Sequence, residues 1–160
     1  KKISKIAKKN KVYLFADSQS SSQTGNISRF EKMDMILATE REARLALSNK
    51  DDGLVVLAEK LKLQSKCKNL FIKLAEDGLL IHAYRKNKKD WLTDKINSLN
   101  NNPIDVNGAG DAMLVTSALS YVSGASIWET ALLGSLASAI QINKIGNNPL
   151  LEDELNKELI

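Results

Sequence analysis

The chain has 160 residues, carries a formal net charge of +4 at pH 7 and is 43% hydrophobic. This length corresponds to one domain, and the apolar content is sufficient for a packed core, which excludes an intrinsically disordered protein. No stretch reaches the roughly 18 apolar residues that a membrane-spanning helix needs, so we expect no membrane partner. The single cysteine excludes an internal disulfide framework and is consistent with a reducing, cytoplasmic location.

The N-terminal segment is rich in lysine, with six lysines in the first eleven residues. Ile3 and Ile6 recur at helical spacing, which predicts an amphipathic helix over 1–9. Because the chain opens with Lys1 rather than Met, inside this helical pattern, we expect it to be a fragment or a processed product of a longer protein. Basic residues also cluster at 85–89. No aromatic residues are interleaved with the first cluster, as stacking on single-stranded nucleic acid requires, so we expect solvated surface and no nucleic-acid partner.

Two apolar runs, at 12–16 and 33–38, are typical of buried parallel strands. The first run ends at Asp17 and leads into a polar loop over 18–26. Such a loop at the carboxyl end of a strand lies where α/β proteins bind ligands, although an ordinary surface loop has the same composition.

Helix signals follow the second strand. Thr39 is a favourable N-cap for a helix over 40–47, and Glu42, three residues later, completes the pattern of a capping box. A second helix is predicted from 51 to 63 by an apolar face that repeats at helical spacing.

Two further strands, over 70–74 and 79–84, are predicted as a hairpin. Lys73 at the end of the first of them has two interpretations, a phosphate ligand or a surface lysine. His82 is the only histidine and has no second ligand in register, so no metal role is expected. Residues 86–95 are predicted to form a charged hairpin or loop.

The most distinctive stretch is Asp-Val-Asn-Gly-Ala-Gly-Asp at 105–111, directly before a helix predicted over 112–122. A helix N-terminus presents unpaired N–H groups and a partial positive charge, and glycines let an anion approach that backbone. An aspartate at 111 would place a base beside the anion. This combination is suited to phosphoryl transfer to a hydroxyl, although the same residues can form a plain strand-to-helix turn.

The C-terminal third is predicted to be helical. Ser126 and Glu129 form a second capping-box pattern, and the helix that follows, to about 142, is apolar nearly all round and therefore buried. Small residues near Ser135 leave room for a flat ring or for close helix packing. The helix over 112–122 has a predicted core stripe made of Leu114, Val115, Ala118, Leu119 and Val122. A short acidic helix is predicted over 151–160.

The motif at 105–111 resembles the C-terminal signature of the PfkB or ribokinase family of sugar and nucleoside kinases. The resemblance implies that Asp111 is the catalytic base and that Gly108, Ala109 and Gly110 form the anion hole for the transferred phosphate. It also implies that Asp105 helps to fix this loop near a monovalent cation, K⁺ or Na⁺.

Three further segments resemble the same family, in the same order. Residues 37–42 lie where the family has Pro-Asn-x-x-Glu, so Thr39 replaces its Asn, and Glu42 would order magnesium water near the ATP phosphates. A capping box alone also explains Thr39 and Glu42. Residues 71–78 lie where the family has Thr-Leu-Gly-x-x-Gly, which lines the nucleotide, so Ala75 replaces its first glycine. Residues 135–149 resemble the helix and loop that close over adenine.

The resemblance implies a nucleotide contact for each of the following positions: Thr39, Lys73, Gly78, Ser135 and Asn143. The fold class expected is α/β, a ribokinase-like three-layer α/β/α arrangement with a mostly parallel sheet and its N-terminal part missing. Residues 1–160 would be the C-terminal nucleotide-binding portion of a single kinase domain. This portion lacks the sugar-binding half and is therefore expected to be inactive alone.

The implied activity is ATP- and Mg²⁺-dependent phosphorylation of a sugar or sugar phosphate, with a homodimer left open as the assembly. The closing loop at 143–147 is similar to that of heptose-phosphate kinase domains in bacterial ADP-heptose synthases. Two alternatives stay open on the residues alone: a non-catalytic nucleotide-binding or regulatory module, and a structural domain whose glycines only form turns.

Overall fold

The computed structural model describes residues 2–18, 26–84, 91–146 and 148–159. Most of the predicted polar loop, at 19–25, and the basic cluster at 85–89 lie outside the described residues. The chain forms two compact units. The first comprises Lys1–Leu74 and Leu80–Lys95, and the second comprises Ala75–Leu79 and Ile96–Ile160.

The strands form one five-stranded sheet in the order β1-β2-β3-β4-β5. Parallel pairing joins β1 to β2 and β2 to β3. In chain order the elements up to the last strand are α1 (Lys2–Lys9), β1 (Phe15–Asp17), β2 (Met35–Thr39), α2 (Glu40–Leu47), α3 (Leu54–Ser65), β3 (Asn69–Lys73), β4 (Leu79–Tyr84) and β5 (Trp91–Ile96).

The first strand is shorter than predicted. It begins at Phe15, and both Val12 and Tyr13 are exposed rather than buried. The chain first contacts the segment before β2 at Leu14. The Leu14 N–H donates to Asp34 Oδ2 at 2.9 Å, and the Leu14 carbonyl accepts the Asp34 N–H at 2.8 Å. The apolar run therefore contributes only its last residues to the parallel ladder.

Residues 91–95 of the predicted hairpin or loop lie in strand β5, Trp91–Ile96, which is the neighbour of β4 in the sheet. Pairing beside β4 outweighs the charged composition of this segment, since strand preference depends on the neighbouring strand more than on the residues alone. His82 Nδ1 of β4 and Thr93 Oγ1 of β5 lie 2.6 Å apart. The β3–β4 connection at 74–78 is too short for a crossover, so these strands form the predicted hairpin.

The core of the first unit lies where α2 and α3 cover the parallel strands. It is almost wholly aliphatic, as expected for a sheet buried by helices. Its fully buried members include Ile36, Ala38, Ala43, Leu57, Leu61, Leu70 and Ile72.

The second unit contains the remaining helices, α4 (Ala109–Val122), α5 (Ile127–Gln141) and α6 (Glu152–Glu158). Helices α4 and α5 approach closely at Gly134, where an added Cβ would meet Ser117 Oγ and would lie 3.3 Å from Met113 Cγ. No helix in the described ranges is both long and apolar enough to cross a bilayer.

The predicted core stripe of α4 is wrong in part, because Val115, Leu119 and Val122 are exposed. The buried positions are Met113 and Ser117. Helix α4 is apolar around much of its circumference, so periodicity cannot select one face. The small side chain of Ser117 and the absent side chain of Gly134 allow the helices to approach there, and this contact selects the buried face.

Lys62 is an exception to the apolar core, since this residue of α3 is only 1% exposed. Burial lowers the pKa of its ammonium to about 7, while the pKa of the nearby Cys67 thiol is raised by burial. A lysine that becomes neutral in the folded chain makes stability dependent on pH, because the unfolded chain still binds the proton.

We expect the free energy of unfolding to rise between pH 7 and pH 9, by at most about 1.4 kcal/mol per pH unit. In this window the unfolded chain holds a proton that folded Lys62 has lost. Above pH 9, ionisation of Cys67 in the unfolded chain lowers the free energy of unfolding. Lys62→Met should abolish the rise and add about 2 kcal/mol at pH 7. Urea unfolding at pH 7, 8 and 9 measures both the rise in unfolding free energy with pH and the gain at pH 7. Lys60→Met, on the exposed side of α3, should retain the wild-type rise.

Candidate active site

The first group of candidate residues lies at the carboxyl ends of β2 and β3, in the first unit. The predicted capping box is confirmed: Glu42 N–H donates to Thr39 Oγ1 at 3.2 Å, and Thr39 N–H donates to Glu42 Oε2 at 2.7 Å. Glu42 is only 2% exposed. The pair therefore has a structural role at the start of α2, whichever further role it has.

Lys73 lies beside Thr39 in the parallel register of β2 and β3. Its ammonium donates to both carboxylate oxygens of Asp17, each at 2.8 Å. Burial raises the pKa of the Asp17 carboxyl above its ordinary value, Lys73 opposes the rise, and the charge of Glu42 adds to it. Lys73 is thus held at the sheet edge by an ion pair and is not a solvated surface lysine.

Asp17 is a candidate site residue that the sequence analysis did not select. The available signal was an acidic residue directly after an apolar strand, at the sheet edge where α/β proteins bind ligands. What sequence alone could not supply is the strand order, which places β1 and β3 on either side of β2.

The turn after β3 contains two backbone conformations that favour glycine. Gly78 has φ +90°, and a Cβ there would meet the Ile96 carbonyl oxygen and would lie 2.6 Å from Ser98 N. Ala75 has φ 52° although it carries a side chain. The turn therefore requires a left-handed conformation at the position where the resembling pattern has glycine, and Ala75 occupies it at a cost of about 1–2 kcal/mol.

Ala75→Gly should stabilise the chain by about 0.5–1 kcal/mol, because relief of the left-handed strain exceeds the entropy that glycine gains in the unfolded state. The free energy of unfolding from urea titrations measures this. Ala46→Gly, in the helical backbone of α2, is the matched control and should destabilise by about 1 kcal/mol. Equal losses in both variants would show that Ala75 carries no strain.

The second group of candidate residues surrounds the N-terminus of α4, in the second unit. Asp105 Oδ1 accepts the N–H of Asn107 at 3.0 Å, and its Oδ2 accepts the N–H of Gly146 at 2.9 Å. These two bonds hold the pKa of the Asp105 carboxyl below its usual value. The Asp105 loop and the loop over 142–146 are thus brought together.

The amides that begin α4 are arranged by a left-handed Gly108, with φ 78°. The N–H of Ala109 has a long bond to the Val106 carbonyl, at 3.3 Å. The N–H of Gly110 donates to no acceptor within the described ranges. Asp111 lies in the first helical turn, and its side chain is exposed. The N-terminus is therefore partly available to an anion, with a carboxylate beside it.

Two positions predicted to contact adenine differ in their surroundings. Ser135 is buried in α5, and its hydroxyl has no hydrogen-bond partner in the part of the chain that is described. Asn143 is exposed, and its Oδ1 accepts a bond from Asn100 Nδ2 at 2.7 Å. Asn143 thus connects two loops of the second unit.

A family model for pfkB carbohydrate kinases matches residues 1–154. The chain belongs to this family. The match covers nearly all of the chain and includes both groups of candidate residues. It confirms the resemblance inferred from the motif at 105–111.

The curated relatives include proteins named bifunctional protein HldE. That of Campylobacter fetus is 27% identical over 150 residues, covering 92% of this chain and 30% of the relative. That of Hydrogenovibrio crunogenus is 30% identical over 108 residues, covering 65% of this chain and 22% of the relative.

Similar solved structures include ribokinases. Arabidopsis thaliana ribokinase complexed with ribose and ATP has a TM-score of 0.78 at 18% identity, and 98% of this chain covers 50% of it. Thermotoga maritima ribokinase has a TM-score of 0.76 at 21% identity, and the match covers 98% of this chain and 52% of the ribokinase. The predicted fold class, a ribokinase-like α/β fold with a mostly parallel sheet, is confirmed. The chain spans about half the length of these structures and less than a third of the curated relatives.

The donor atoms in the first unit can be compared with what magnesium requires. Mg²⁺ binds oxygen, retains several waters, and is usually held by one or two carboxylates together with nucleotide phosphates. Glu42 supplies such a carboxylate, with one oxygen already bonded to Thr39. Within the described residues, no three His, Cys, Asp or Glu side chains cluster to hold a metal by themselves. This donor set fits an ion that arrives with a nucleotide.

Proposed function

We propose that this chain, as part of a complete kinase domain, transfers the terminal phosphate of ATP to a hydroxyl of a sugar or sugar phosphate. Membership of the pfkB family supports carbohydrate phosphorylation in general. The observation that carries the finer proposal is the N-terminus of α4, where exposed Asp111 follows the Gly110 amide, which has no protein acceptor in the described ranges.

In this proposal Asp111 accepts the proton of the attacking hydroxyl, and the amides of Gly108, Ala109 and Gly110 stabilise the negative charge on the transferred phosphate. Backbone donors at a helix N-terminus are suited to this because they are fixed in place before the charge develops. Ala109 is the weakest of the three donors, since its N–H already has the long bond to Val106.

We propose nucleotide contacts for a second set of residues, each taken from its position in the family pattern. Thr39 and Glu42 begin α2, and Lys73 presents an ammonium at the end of β3. The remaining members of this set are Gly78, Ser135 and Asn143. Bound magnesium would neutralise phosphate charge, and Glu42 would hold its water ligands. Asp105 would orient the loops around a bound K⁺ or Na⁺.

The acceptor is proposed to be a heptose phosphate, because the closing loop at 143–147 is similar to that of heptose-phosphate kinase domains. We also propose a cytoplasmic location, which the buried free thiol of Cys67 supports. We also propose a homodimer as the assembly.

In the full-length protein, Asp111→Asn should lower kcat by about 10²–10⁴-fold and leave the affinity for ATP nearly unchanged, since the amide cannot accept the hydroxyl proton. Phosphate transfer is measured with ATP-Mg²⁺ and a panel of ribose, fructose 6-phosphate and heptose phosphate, and ATP binding by calorimetry. Asp94→Asn, an exposed aspartate on β5, is the control and should retain wild-type turnover. Undiminished turnover in the Asp111 variant would remove it from the role of base.

A second candidate function is a nucleotide-binding module without turnover. The strained Ala75 turn favours it, because this turn would line the nucleotide and lacks the glycine of the family pattern. The same calorimetry and transfer assay distinguish the two functions: binding with transfer supports the kinase, and binding without transfer to any acceptor supports the module. Absence of ATP binding at about 1 mM, a typical upper limit for substrate affinity, would contradict both.

A further inference from the structure

A cavity of about 440 Å³ lies in the first unit, at the amino ends of the parallel strands. It is lined by Leu14, Asp34 and Lys68, which directly precede β1, β2 and β3. Thr39 and Lys73 lie at the opposite ends of β2 and β3, and a strand of this length spans roughly 13 Å. The cavity is therefore separate from the candidate residues at the carboxyl ends of the sheet.

Lysines dominate the charged lining of this cavity. They come from α1, the turn after it, the segment before β2, the end of α3 and the segment before β3: Lys8, Lys11, Lys32, Lys66 and Lys68. Asp34 is the one carboxylate among the described lining residues, and its oxygens accept bonds from the Lys68 ammonium at 2.6 Å and the Leu14 N–H at 2.9 Å. The C-termini of α1 and α3 add about half a negative charge each. The five ammonium groups therefore leave an excess of positive charge around the cavity.

The walls of the cavity are joined by hydrogen bonds between segments that are distant in sequence. The Ser4 hydroxyl of α1 donates to the Glu31 carbonyl at 3.3 Å. The Lys32 N–H donates to the carbonyl of Ser65, the last residue of α3, at 2.8 Å. The lysines are thus attached to a framework that is formed before a ligand binds, which reduces the entropy lost on binding.

Three of the five lysines have a left-handed backbone, with φ of 55° at Lys11, 61° at Lys32 and 55° at Lys66. Glycine and asparagine adopt this conformation most readily, and a lysine is strained in it. Among the described residues, Ser48 and Ala75 are the only other non-glycine residues with positive φ. Strain of this kind is typical of residues that serve binding, because the turns would be more stable with another residue.

We propose that this cavity binds a small anion that carries several phosphate groups. A lysine ammonium binds phosphate as a point charge, and five of them around one cavity match several phosphates better than one. The volume lies in the range of small-molecule sites, roughly 300–1,000 Å³. Tyr13 is the one aromatic residue among the described lining residues, whereas a nucleic-acid strand requires successive stacking platforms. The inference goes beyond the phosphoryl-transfer proposal and does not require it.

The test is lysine footprinting of the full-length protein, with inorganic tripolyphosphate as the probe and without nucleotide or sugar. Limited acetylation followed by mass spectrometry measures the reactivity of each lysine separately, at about 0.15 M salt, where distant charges are screened. Tripolyphosphate should lower the reactivity of Lys32 and Lys66 at least about threefold, since a phosphate bonded to an ammonium shields it. Lys5 and Lys9, exposed lysines of α1 that are not among the lining residues, should keep their reactivity.

Two double variants separate a built site from a generally basic surface. Lys32→Asn with Lys66→Asn should raise the tripolyphosphate concentration that half-protects Lys11 by about tenfold, because two charges are lost. The Tm of this variant should not fall, since asparagine tolerates positive φ. Lys5→Gln with Lys9→Gln removes the same charge and should change that concentration less than about twofold.

Equal weakening by the two double variants would overturn the proposal, as would absence of protection at about 1 mM tripolyphosphate, a typical upper limit for small-molecule affinity. Protection by a single-stranded oligonucleotide or by phosphatidylserine vesicles, with none by tripolyphosphate, would also overturn it. Because the readout is the reactivity of individual lysines at this cavity, a failed kinase assay or an anion bound at the start of α4 affects none of these outcomes.

Discussion

The carboxylate of Asp105 is the constraint on which the account of the second unit depends. It accepts the N–H groups of Asn107 and Gly146 on separate oxygens, so one side chain holds the turn before α4 against the loop after α5. Ile142 reinforces the same junction, because its carbonyl accepts the N–H groups of Ile104 and Asp105 at 2.8 and 3.1 Å. The turn is therefore held by hydrogen bonds before any ligand binds, which is the condition for electrostatic stabilisation without reorganisation.

The first unit uses a different principle, in which parallel strands bring residues distant in sequence to one sheet edge. Asp17, Thr39 and Lys73 terminate three neighbouring strands, and Glu42 lies in the first turn of the helix that follows the middle one. The capping box and the ion pair satisfy these polar groups among themselves. This end of the sheet therefore carries charged side chains that are largely buried and hydrogen-bonded to one another. Such a surface is suited to binding a phosphate and unsuited to binding an apolar ligand.

Sequence reasoning succeeded where structure is specified by neighbours along the chain. Both capping boxes, Thr39 with Glu42 and Ser126 with Glu129, are present as predicted, because their partners are three residues apart. It failed where strand pairing or helix packing decides. The Asp17–Lys73 pair depends on strand order, and the buried face of α4 depends on the close approach at Gly134. The site residues themselves came from the family pattern, which the family match supports as a whole and not residue by residue.

The central claim is that amides at the start of α4 bind a phosphate, and NMR of the chain labelled with ¹⁵N-glycine tests it most directly. The chain has only eight glycines, so their signals are few enough to assign by single substitutions. Titration with ATP-Mg²⁺ should move the amide signals of Gly108 and Gly110 strongly, since hydrogen bonds to a charged acceptor deshield the N–H. Gly53, whose surroundings are open, should not move. ATP binding that leaves the Gly108 and Gly110 signals in place would contradict the account.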